Sequence, residues 1–358
     1  MKRRLLLAAS AAVGATAMVI SPAGAYAPSR LLCTMSDARV TESSGVVASS
    51  SSDDWFWTHN DSGDIARFFA FRRDCTVPAE YRLPGAGASD WEDIARGPDS
   101  RGVMSLWMGD HGDNNANRPG IQVYRVDEPT SLTPGVTDLS WQRFDLTYED
   151  GPHDCETLLI DPRDGRLYVV TKSYTGDSAL YAADMPLSTT GPSVLRKAAT
   201  MAFSSLYSAG EQPTEPPGAT AIGGASLAAT GGDIGPAGDR VVVRTYSDAY
   251  EWRIAPGQTV AAAMAPTAPV RRLTLAPQGQ GEGIAYSRAG GSLVTTSEYA
   301  PSPAPGLAPV YIRDPDGGPE VTPPAPGVPE VGQPAALAAF GAIVALGVAF
   351  ASRRRRRL

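Results

Sequence analysis

The sequence predicts an all-β fold, namely a β-propeller of five or six blades, and three observations lead to it. Between residues 30 and 314 the apolar runs are short, rich in Val, Tyr, Trp and Thr, and closely followed by turn residues. The same region has no helical periodicity of convincing length. A two-part motif also recurs along it, which is typical of a fold built from repeated blades.

The first part of the motif is an acidic residue followed by small or apolar residues and a turn. It occurs as TESSGVVAS (from Thr41), DWEDIARGP (from Asp90), DCETLLIDP (from Asp154), TGGDIGPAG (from Thr230) and GEGIAYSRA (from Gly281). Intervals of 50, 64, 77 and 49 residues separate its acids and fit four-stranded blades with variable outer loops: Glu42, Glu92, Glu156, Asp233 and Glu282. The sequence does not decide between five and six blades. A sixth blade would lie inside the longest interval, or would form where residues 309–314 pair with the N-terminal strand.

The second part is another apolar run that ends in polar residues: WFWTHNDSGD, LWMGDHGDNN, RLYVVTKS, RVVVRTYSD and SLVTTSE. In an antiparallel hairpin the second strand returns to the edge where the first one began. Each acid should therefore lie beside the polar end of its partner strand, and symmetry should place all five groups around one channel mouth. The expected neighbours are Glu42 with Asn60 and Asp61, Glu92 with Asp110 and Asp113, Glu156 with Lys172, Asp233 with Arg244, and Glu282 with Glu298.

Taken together, these motifs resemble a group of exported bacterial β-propellers that is distantly similar to the phytase and phytase-like esterase propellers. The likeness covers about 280 residues. It implies calcium ions at the channel mouth that receive a substrate phosphate, held by Glu42, Glu92, Glu156 and Glu282 with Asp110 and Asp113 beside them. The chain departs from the phytase pattern because only Lys172 and Arg244 supply basic groups at the inner motif ends.

Both termini predict export and anchoring. Residues 1–27 read as a signal peptide, with Lys2, Arg3 and Arg4 before an apolar run and a small-residue cleavage site. Residues 335–352 form an apolar run long enough for a transmembrane helix, and the basic tail 353–358 should stay inside the cell. Residues 315–334 form a Pro/Gly-rich stalk between this helix and the propeller domain at 30–314. VPEVG (from Val328) weakly matches a cell-wall sorting signal.

The charge of the exported part excludes some partners. Without the signal and the tail, 23 basic and 38 acidic residues remain, a net charge of −15. Such a surface repels phosphate backbones and attracts cations, so we expect no nucleic-acid partner. The expected partner is an extracellular small molecule or a component of the cell envelope.

The mouth offers enough oxygen ligands for a divalent cation, most simply calcium. The candidate ligands are Glu42, Asp61, Glu92, Asp110, Asp113 and Glu282, and Glu298 is a further mouth carboxylate. Two alternatives remain open: the carboxylates cap loop amides or pair with Lys172 and Arg244, or a transition metal is held by the chain's three histidines, all of which lie in or beside the motif ends. These histidines are His59, His111 and His153.

Two functional classes follow from this mouth. One is a binding module, whose candidate ligand-binding residues are Lys172, Arg244, His111 and Asn60. The other is a metal-dependent hydrolase of phosphoesters or esters, in which Glu156 or His153 acts as the base on a metal-activated water. No GxSxG motif supports a serine nucleophile. Whether the protein is an enzyme stays undecided at this point.

Three cysteines remain after signal removal. Cys33 and Cys75 lie near the start of the folded region and outside the repeat elements, which favours them as a disulfide pair. Cys155 lies inside an apolar strand pattern and is expected to be a small buried residue.

Overall fold

A computed structural model describes residues 28–207, 224–298 and 308–313. The predicted signal peptide (1–27), stalk (315–334), membrane helix (335–352) and basic tail (353–358) lie outside these residues. In the part of the chain that is described, no helix is long and apolar enough to cross a membrane.

The described strands form five arrays of four strands each. Array one contains β2 (Ser43–Ala48), β3 (Trp55–Asn60), β4 (Arg67–Arg72) and β5 (Ala79–Arg82). Array two contains β6 (Trp91–Pro98), β7 (Met104–Asp110), β8 (Ile121–Asp127) and β10 (Gln142–Tyr148). Array three contains β11 (Cys155–Ile160), β12 (Leu167–Thr171), β13 (Asp177–Ala183) and β14 (Ser193–Ala202). Array four contains β15 (Ala229–Ile234), β16 (Arg240–Thr245), β17 (Asp248–Arg253) and β18 (Val270–Thr274).

Array five joins the two ends of the described chain. It contains β19 (Gly281–Tyr286), β20 (Leu293–Ser297), β21 (Ala308–Arg313) and the N-terminal β1 (Arg30–Met35). Residues 309–313 therefore do pair with the N-terminal strand, and the pairing completes array five. Such closure leaves fewer free sheet edges.

Two further pairings link neighbouring arrays. The short strand β9 (Gly135–Asp138) adds in parallel to the outer edge of β5. Strands β10 and β14 also pair in parallel, so arrays two and three share one eight-stranded sheet. The only α-helix among the described residues is the single turn α1 (Val260–Ala263).

The innermost strands contact one another in a closed ring, in the order β2, β6, β11, β15, β19 and back to β2. Their backbones approach closely at glycines. A Cβ on Gly231 would lie 2.4 Å from the carbonyl oxygen of Glu282, and one on Gly283 would lie 2.8 Å from that of Ser44. Glycine at these positions allows neighbouring arrays to meet around a narrow axis.

Five apolar clusters fill the gaps between arrays. Successive residues of one strand point into different gaps, as strand geometry requires: Val46 packs in the cluster shared with array five, and Val47 packs in the cluster shared with array two. The other three clusters join arrays two and three, three and four, and four and five. The prediction of an all-β propeller is therefore confirmed.

The cysteines are arranged as the sequence suggests. A disulfide links Cys33 on β1 to Cys75 after β4, which confirms the predicted pair. Cys155 is free and buried, and its thiol lies 3.1 Å from the carbonyl oxygen of Val170.

Candidate functional site

A β-bulge interrupts the start of each innermost strand. The pairing register shifts by one residue between Ser43 and Val46 in β2, and at the matching place in the other four strands. A bulge leaves one extra residue out of the ladder and re-aims its side chain. Aligned across the five strands, the bulge residues are Ser44, Glu92, Glu156, Thr230 and Glu282.

The bulge residues have two different roles. The Ser44 hydroxyl donates to the carbonyl oxygen of Glu92 at 2.6 Å, and the Thr230 hydroxyl donates to that of Gly281 at 2.8 Å, so each joins its array to the next. The other three bulge residues are buried glutamates. Two repeats thus use the position to hold arrays together, and three use it to place a carboxylate at one end of the ring.

We call this end of the ring the mouth. Burial raises the pKa of Glu92 well above its usual value, and three nearby carboxylates raise it further, those of Glu156, Asp61 and Asp90. Burial likewise raises the pKa of Glu298, and so do its acidic neighbours Glu282, Asp61, Glu42 and Glu156. Acids that are far apart in sequence therefore lie in one electrostatic neighbourhood, because like charges raise a carboxyl pKa only at short range.

Three of these acids form a tighter group, which we call the cation triad. Asp61 follows β3, while Asp90 and Glu92 lie at the start of β6, and one oxygen from each lies within 4.8 Å of the other two. Burial raises the pKa of Asp90 to about 7, and the charges of Asp61 and Asp154 contribute. The nearby Arg118 forms its ion pair with Asp110 at 3.0 Å, next to the triad.

The geometry of the triad fits a divalent cation. Calcium takes six to eight oxygens at about 2.3–2.6 Å, so two oxygens on opposite sides of one ion are about 5 Å apart. The three triad oxygens lie within that span. A set of carboxylates without histidine or thiolate suits calcium or magnesium better than zinc.

The sequence predicts two members of the triad but misses Asp90. Asp90 precedes its bulge residue by two positions, as Glu42 precedes Ser44. Aligning ESS with DWE would have placed Asp90 and Glu42 at one repeat position. The sequence therefore contains the signal for Asp90, but matching acid to acid pairs Glu42 with Glu92 instead.

Asp110 and Asp113, both predicted metal ligands, organise the loop beside the triad. The Asp110 carboxylate accepts hydrogen bonds from the backbone N–H groups of Ser89 and Asp90, both at 3.1 Å. The Asp113 carboxylate accepts one from the N–H of Arg118 at 2.7 Å. These carboxylates therefore accept hydrogen bonds from loop amides, and Asp110 also pairs with Arg118. Capping of loop amides is one of the alternatives that the sequence left open.

The opposite side of the mouth, formed by arrays three and four, carries a basic group. The Lys172 ammonium is ion-paired with Glu156, donates to the Tyr246 hydroxyl at 3.1 Å, and lies against the rings of Tyr174 and Tyr246. Burial acts to lower the pKa of Lys172, but Glu156 and the two tyrosines together raise it well above its usual value. Lys172 is therefore charged, and its charge acts to lower the pKa of Glu156, which burial raises well above its usual value.

Glu282 lies between the two sides. Burial raises its pKa to about 7, and the charges of Lys172 and Arg244 act in the opposite direction. One oxygen of Glu282 and one of Glu156 are buried without a hydrogen-bond partner in the described chain. These two oxygens can accept from a ligand or from water.

Arg244 is fully buried and braces arrays four and five. Its guanidinium donates to the side chain of Gln278 and to the carbonyl oxygens of Gly283 and Thr296, at 3.1–3.2 Å. Burial lowers its pKa to about 10. The structure thus gives this predicted ligand-binding residue a bracing position.

The prediction that Asp233 lies beside Arg244 at the mouth is wrong. Asp233 comes three residues after the bulge residue of β15, and its carboxylate accepts from the N–H groups of Ile234 and Tyr286. The true bulge residue of this repeat, Thr230, carries no charge. Asp233 is the nearest acid to this position in the sequence, and it therefore imitates the motif.

Asn60 and two of the histidines are engaged close to the mouth. The Asn60 side-chain oxygen accepts from the N–H groups of Thr41 and Glu42, and its amide donates to the carbonyl oxygen of Arg39. Burial lowers the pKa of His59 and of His111 to about 4, so both rings are neutral. Nδ1 of His111 lies 2.8 Å from the carbonyl oxygen of Cys155.

His153 lies apart from Glu156, its predicted catalytic partner. Its Nε2 is 2.9 Å from Asp150 and 2.8 Å from the hydroxyl of Tyr181, which belongs to the third strand of array three. Within the described chain no hydrogen bond joins His153 to Glu156. The structure therefore does not assemble these two residues into an acid–base pair.

Comparisons with known proteins add little beyond the fold. No model of a protein family matches the chain, and no curated protein matches it. Two solved structures that resemble it are the β-propeller domain of Cps50 (Swd1) from Myceliophteria thermophila and the gluconolactonase XC5397 from Xanthomonas campestris. The first is 10% identical with a TM-score of 0.38 and covers 79% of this chain and 99% of the other. The second is 14% identical with a TM-score of 0.39 and covers 82% and 99%. The chain is an all-β propeller.

Proposed function

We propose that the chain is a five-bladed, exported propeller, anchored in the cell membrane by residues 335–352, whose acidic mouth binds calcium and, through it, a polar or anionic extracellular ligand. The cation triad is the observation that carries the proposal. Asp61 from array one and Asp90 and Glu92 from array two present three oxygens within the span of one ion. Each of the five arrays would be one blade.

The electrostatics of the mouth favour a cation. Burial and neighbouring acids raise the pKa of Asp90 to about 7 and that of Glu92 well above its usual value. A bound divalent cation would offset this repulsion and keep the carboxylates ionised. The net charge of −15 on the exported part would also attract cations to the surface.

A ligand would complete the coordination of the ion. Three protein oxygens leave at least three coordination positions of calcium for water or for ligand oxygens. Lys172 lies on the facing side of the mouth and can receive an anionic group of that ligand. An extracellular small molecule or a cell-envelope component would meet these requirements.

Three features support export. The N-terminal 27 residues have the pattern of a signal peptide, and the basic tail 353–358 follows an apolar run. The Cys33–Cys75 disulfide suits an oxidising compartment outside the cytoplasm. Wall attachment through the degenerate motif at Val328 is tested separately with a sortase assay.

Calorimetric titration of calcium into the purified protein tests the proposal. We expect saturable binding, an increase in melting temperature, and loss of both in the Glu92→Gln variant. Absence of binding heat together with an unchanged melting temperature in the parent protein would overturn the proposal.

A second candidate function, metal-dependent hydrolysis of phosphoesters or esters, is favoured by one observation. Glu156 is buried, its pKa is raised well above the usual value, and one of its oxygens has no hydrogen-bond partner in the described chain. A carboxyl of this kind suits a general base. Turnover of phosphomonoester, ester or lactone substrates that a chelator and Glu156→Gln both abolish would support it. A protein that binds calcium but turns over none of them is a binding module.

A further inference from the structure

The loop after β7 lies directly against the cation triad. Its Gly112 donates its N–H to the carbonyl oxygen of Asp90 at 3.2 Å. A Cβ on Gly112 would lie 2.1 Å from Oε1 of Glu92 and 2.5 Å from Oδ2 of Asp90. Real Cβ atoms do not approach other atoms so closely, so any side chain here would push both carboxylates out of place.

Backbone strain does not explain the glycine. Eleven glycines among the described residues have a positive φ, and Gly112 is not one of them, so its backbone conformation is open to alanine. The atoms that exclude a Cβ are the carboxylate oxygens of the triad and Cγ of Asp90. The space above Gly112 is therefore a requirement of the site.

Arg118 holds this loop in place with the two terminal nitrogens of its guanidinium. Nη1 donates to the carbonyl oxygen of Gly112 at 2.8 Å, and Nη2 donates to the carbonyl oxygen and the carboxylate of Asp110, both at 3.0 Å. Nη2 also donates to Gln122 on β8 at 2.9 Å, which ties the loop to array two. One planar group therefore fixes Gly112 and Asp110 relative to a rigid strand.

Asp110 connects Arg118 to the backbone of the triad residue Asp90. Its carboxylate accepts from the N–H groups of Ser89 and Asp90, the residues that lead into β6. A second contact from the same loop runs from the N–H of Asp113 to the carboxylate of Asp154 at 3.1 Å. Arg118 is thus connected through Asp110 to the backbone of a triad residue without touching a triad carboxylate by a hydrogen bond.

We propose that Gly112 and Arg118 are positioning residues of the cation site, an inference that rests on the proposed cation binding. Gly112 leaves the carboxylates of Asp90 and Glu92 free to face one ion, and Arg118 fixes the loop and the backbone of Asp90 through Asp110. Removing such supporting contacts typically lowers metal affinity about 10- to 100-fold.

Terbium luminescence of the full-length protein in detergent tests the role of Gly112. Terbium replaces calcium at oxygen sites, and nearby tryptophans such as Trp91 sensitise its emission. Gly112→Ala is expected to weaken terbium and calcium binding about 10- to 100-fold. Gly191→Ala is the matched control, because a Cβ there meets nothing within 4 Å and the φ of Gly191 is not positive.

Arg118 is tested with Arg118→Gln and Arg118→Lys, and exposed Arg143→Gln serves as the control. Terbium decay rates in light and heavy water count the waters on the ion. Both Arg118 variants are expected to carry more bound water than the parent, because a misplaced Asp90 leaves the ion and water replaces it. Arg118→Lys keeps the positive charge but lacks the two donor nitrogens of the guanidinium, so it should not restore the number of bound waters seen in the parent.

The outcomes separate the two proposals. A parent protein that binds no terbium or calcium ends the proposed function and this inference with it. A parent that binds, with Gly112→Ala and both Arg118 variants folded and equal to the parent in affinity and water count, contradicts the positioning role alone. Should Gly112→Ala fail to fold, the water counts of the Arg118 variants decide.

Discussion

The two sides of the mouth use the same repeat positions for opposite purposes. On the side of arrays one and two, Asp61, Asp90 and Glu92 face one another within 4.8 Å. On the side of arrays three and four, Glu156 occupies the same bulge position as Glu92, but Lys172 neutralises it. The residue after the second strand makes the difference, since it is Asp61 in array one and Lys172 in array three. The repeat places a carboxylate at the same bulge position in both arrays, and the neighbouring side chains decide whether it faces an ammonium group or other carboxylates.

The largest expected effect on stability is on the side of arrays three and four, where Lys172 pairs with Glu156. Lys172→Met leaves the carboxyl of Glu156 buried without its partner, and breaking a buried pair in this way typically costs about 3–5 kcal/mol of unfolding free energy. Urea denaturation of the calcium-free protein measures the loss. Exposed Lys197→Met should stay within about 0.5 kcal/mol of the parent. Equal stability of both variants would mean that this side does not depend on the ion pair.

On the side of the cation triad, removing a charged group should raise the stability of the calcium-free protein rather than lower it. Glu92→Gln removes a carboxyl whose pKa burial and like charges raise, and each unit of such a shift corresponds to about 1.4 kcal/mol. We expect the calcium-free variant to gain about 1–2 kcal/mol at pH 8 and to lose calcium binding. Asp138→Asn, an exposed change, controls for loss of an acid elsewhere. A less stable variant that still binds calcium would contradict the view that Glu92 is repelled by its neighbours and is needed for the ion.

The pH dependence of the calcium-free protein should show the same repulsion. Asp90 and Glu282 have pKa values of about 7 in the folded chain, well above those of unfolded carboxyls. Above the unfolded pKa values the folded state binds more protons, so its stability falls as pH rises toward 7, by up to about 1.4 kcal/mol per pH unit and group, and the fall levels off near pH 8. Saturating calcium should flatten this fall. A profile that is flat from pH 6.5 to 8 without calcium would contradict it.

Below pH 6.5 a second effect acts in the opposite direction. His59 and His111 have pKa values of about 4 in the folded chain, so the unfolded chain takes up protons first. Stability due to these two residues is present above pH 6.5 and is lost as pH falls toward 4. Replacing His111 with Gln should reduce the acid-side slope, as thermal unfolding at pH 4.5 and 6.5 can measure.

The smallest expected effect concerns His153. Its ring is partly exposed and bonds to Asp150 and Tyr181 outside the mouth, so His153→Gln should cost at most about 1 kcal/mol and leave calcium affinity unchanged. Loss of calcium binding in this variant would place His153 at the site after all.

The sequence predicts the fold and the gathering of acids because both follow from strand periodicity and antiparallel pairing. The repeat register is harder to read. Strands β2 and β15 carry Ser44 and Thr230 at the bulge, so a search for acids shifts to Glu42, two residues before, or to Asp233, three residues after. A bulge is a backbone feature, and the acid spacing alone does not reveal it.

Strand periodicity and acid spacing do not identify the supporting residues of the site. Arg118 is a single basic residue in a polar loop, and its role depends on how that loop folds back onto Asp110. Gly112 reads as one more turn residue in GDHGDNN, although its missing side chain is what the triad needs. Loop conformation places both, and no periodic signal reports it.

The most direct test of the account is a crystal structure of the protein with manganese or calcium, with anomalous scattering used to locate the ion. We predict one peak within about 2.6 Å of carboxylate oxygens of Asp61, Asp90 and Glu92. An ion bound elsewhere in the mouth, or a triad region without a peak in crystals that contain the ion, would contradict the central claim that two neighbouring blades jointly hold a divalent cation.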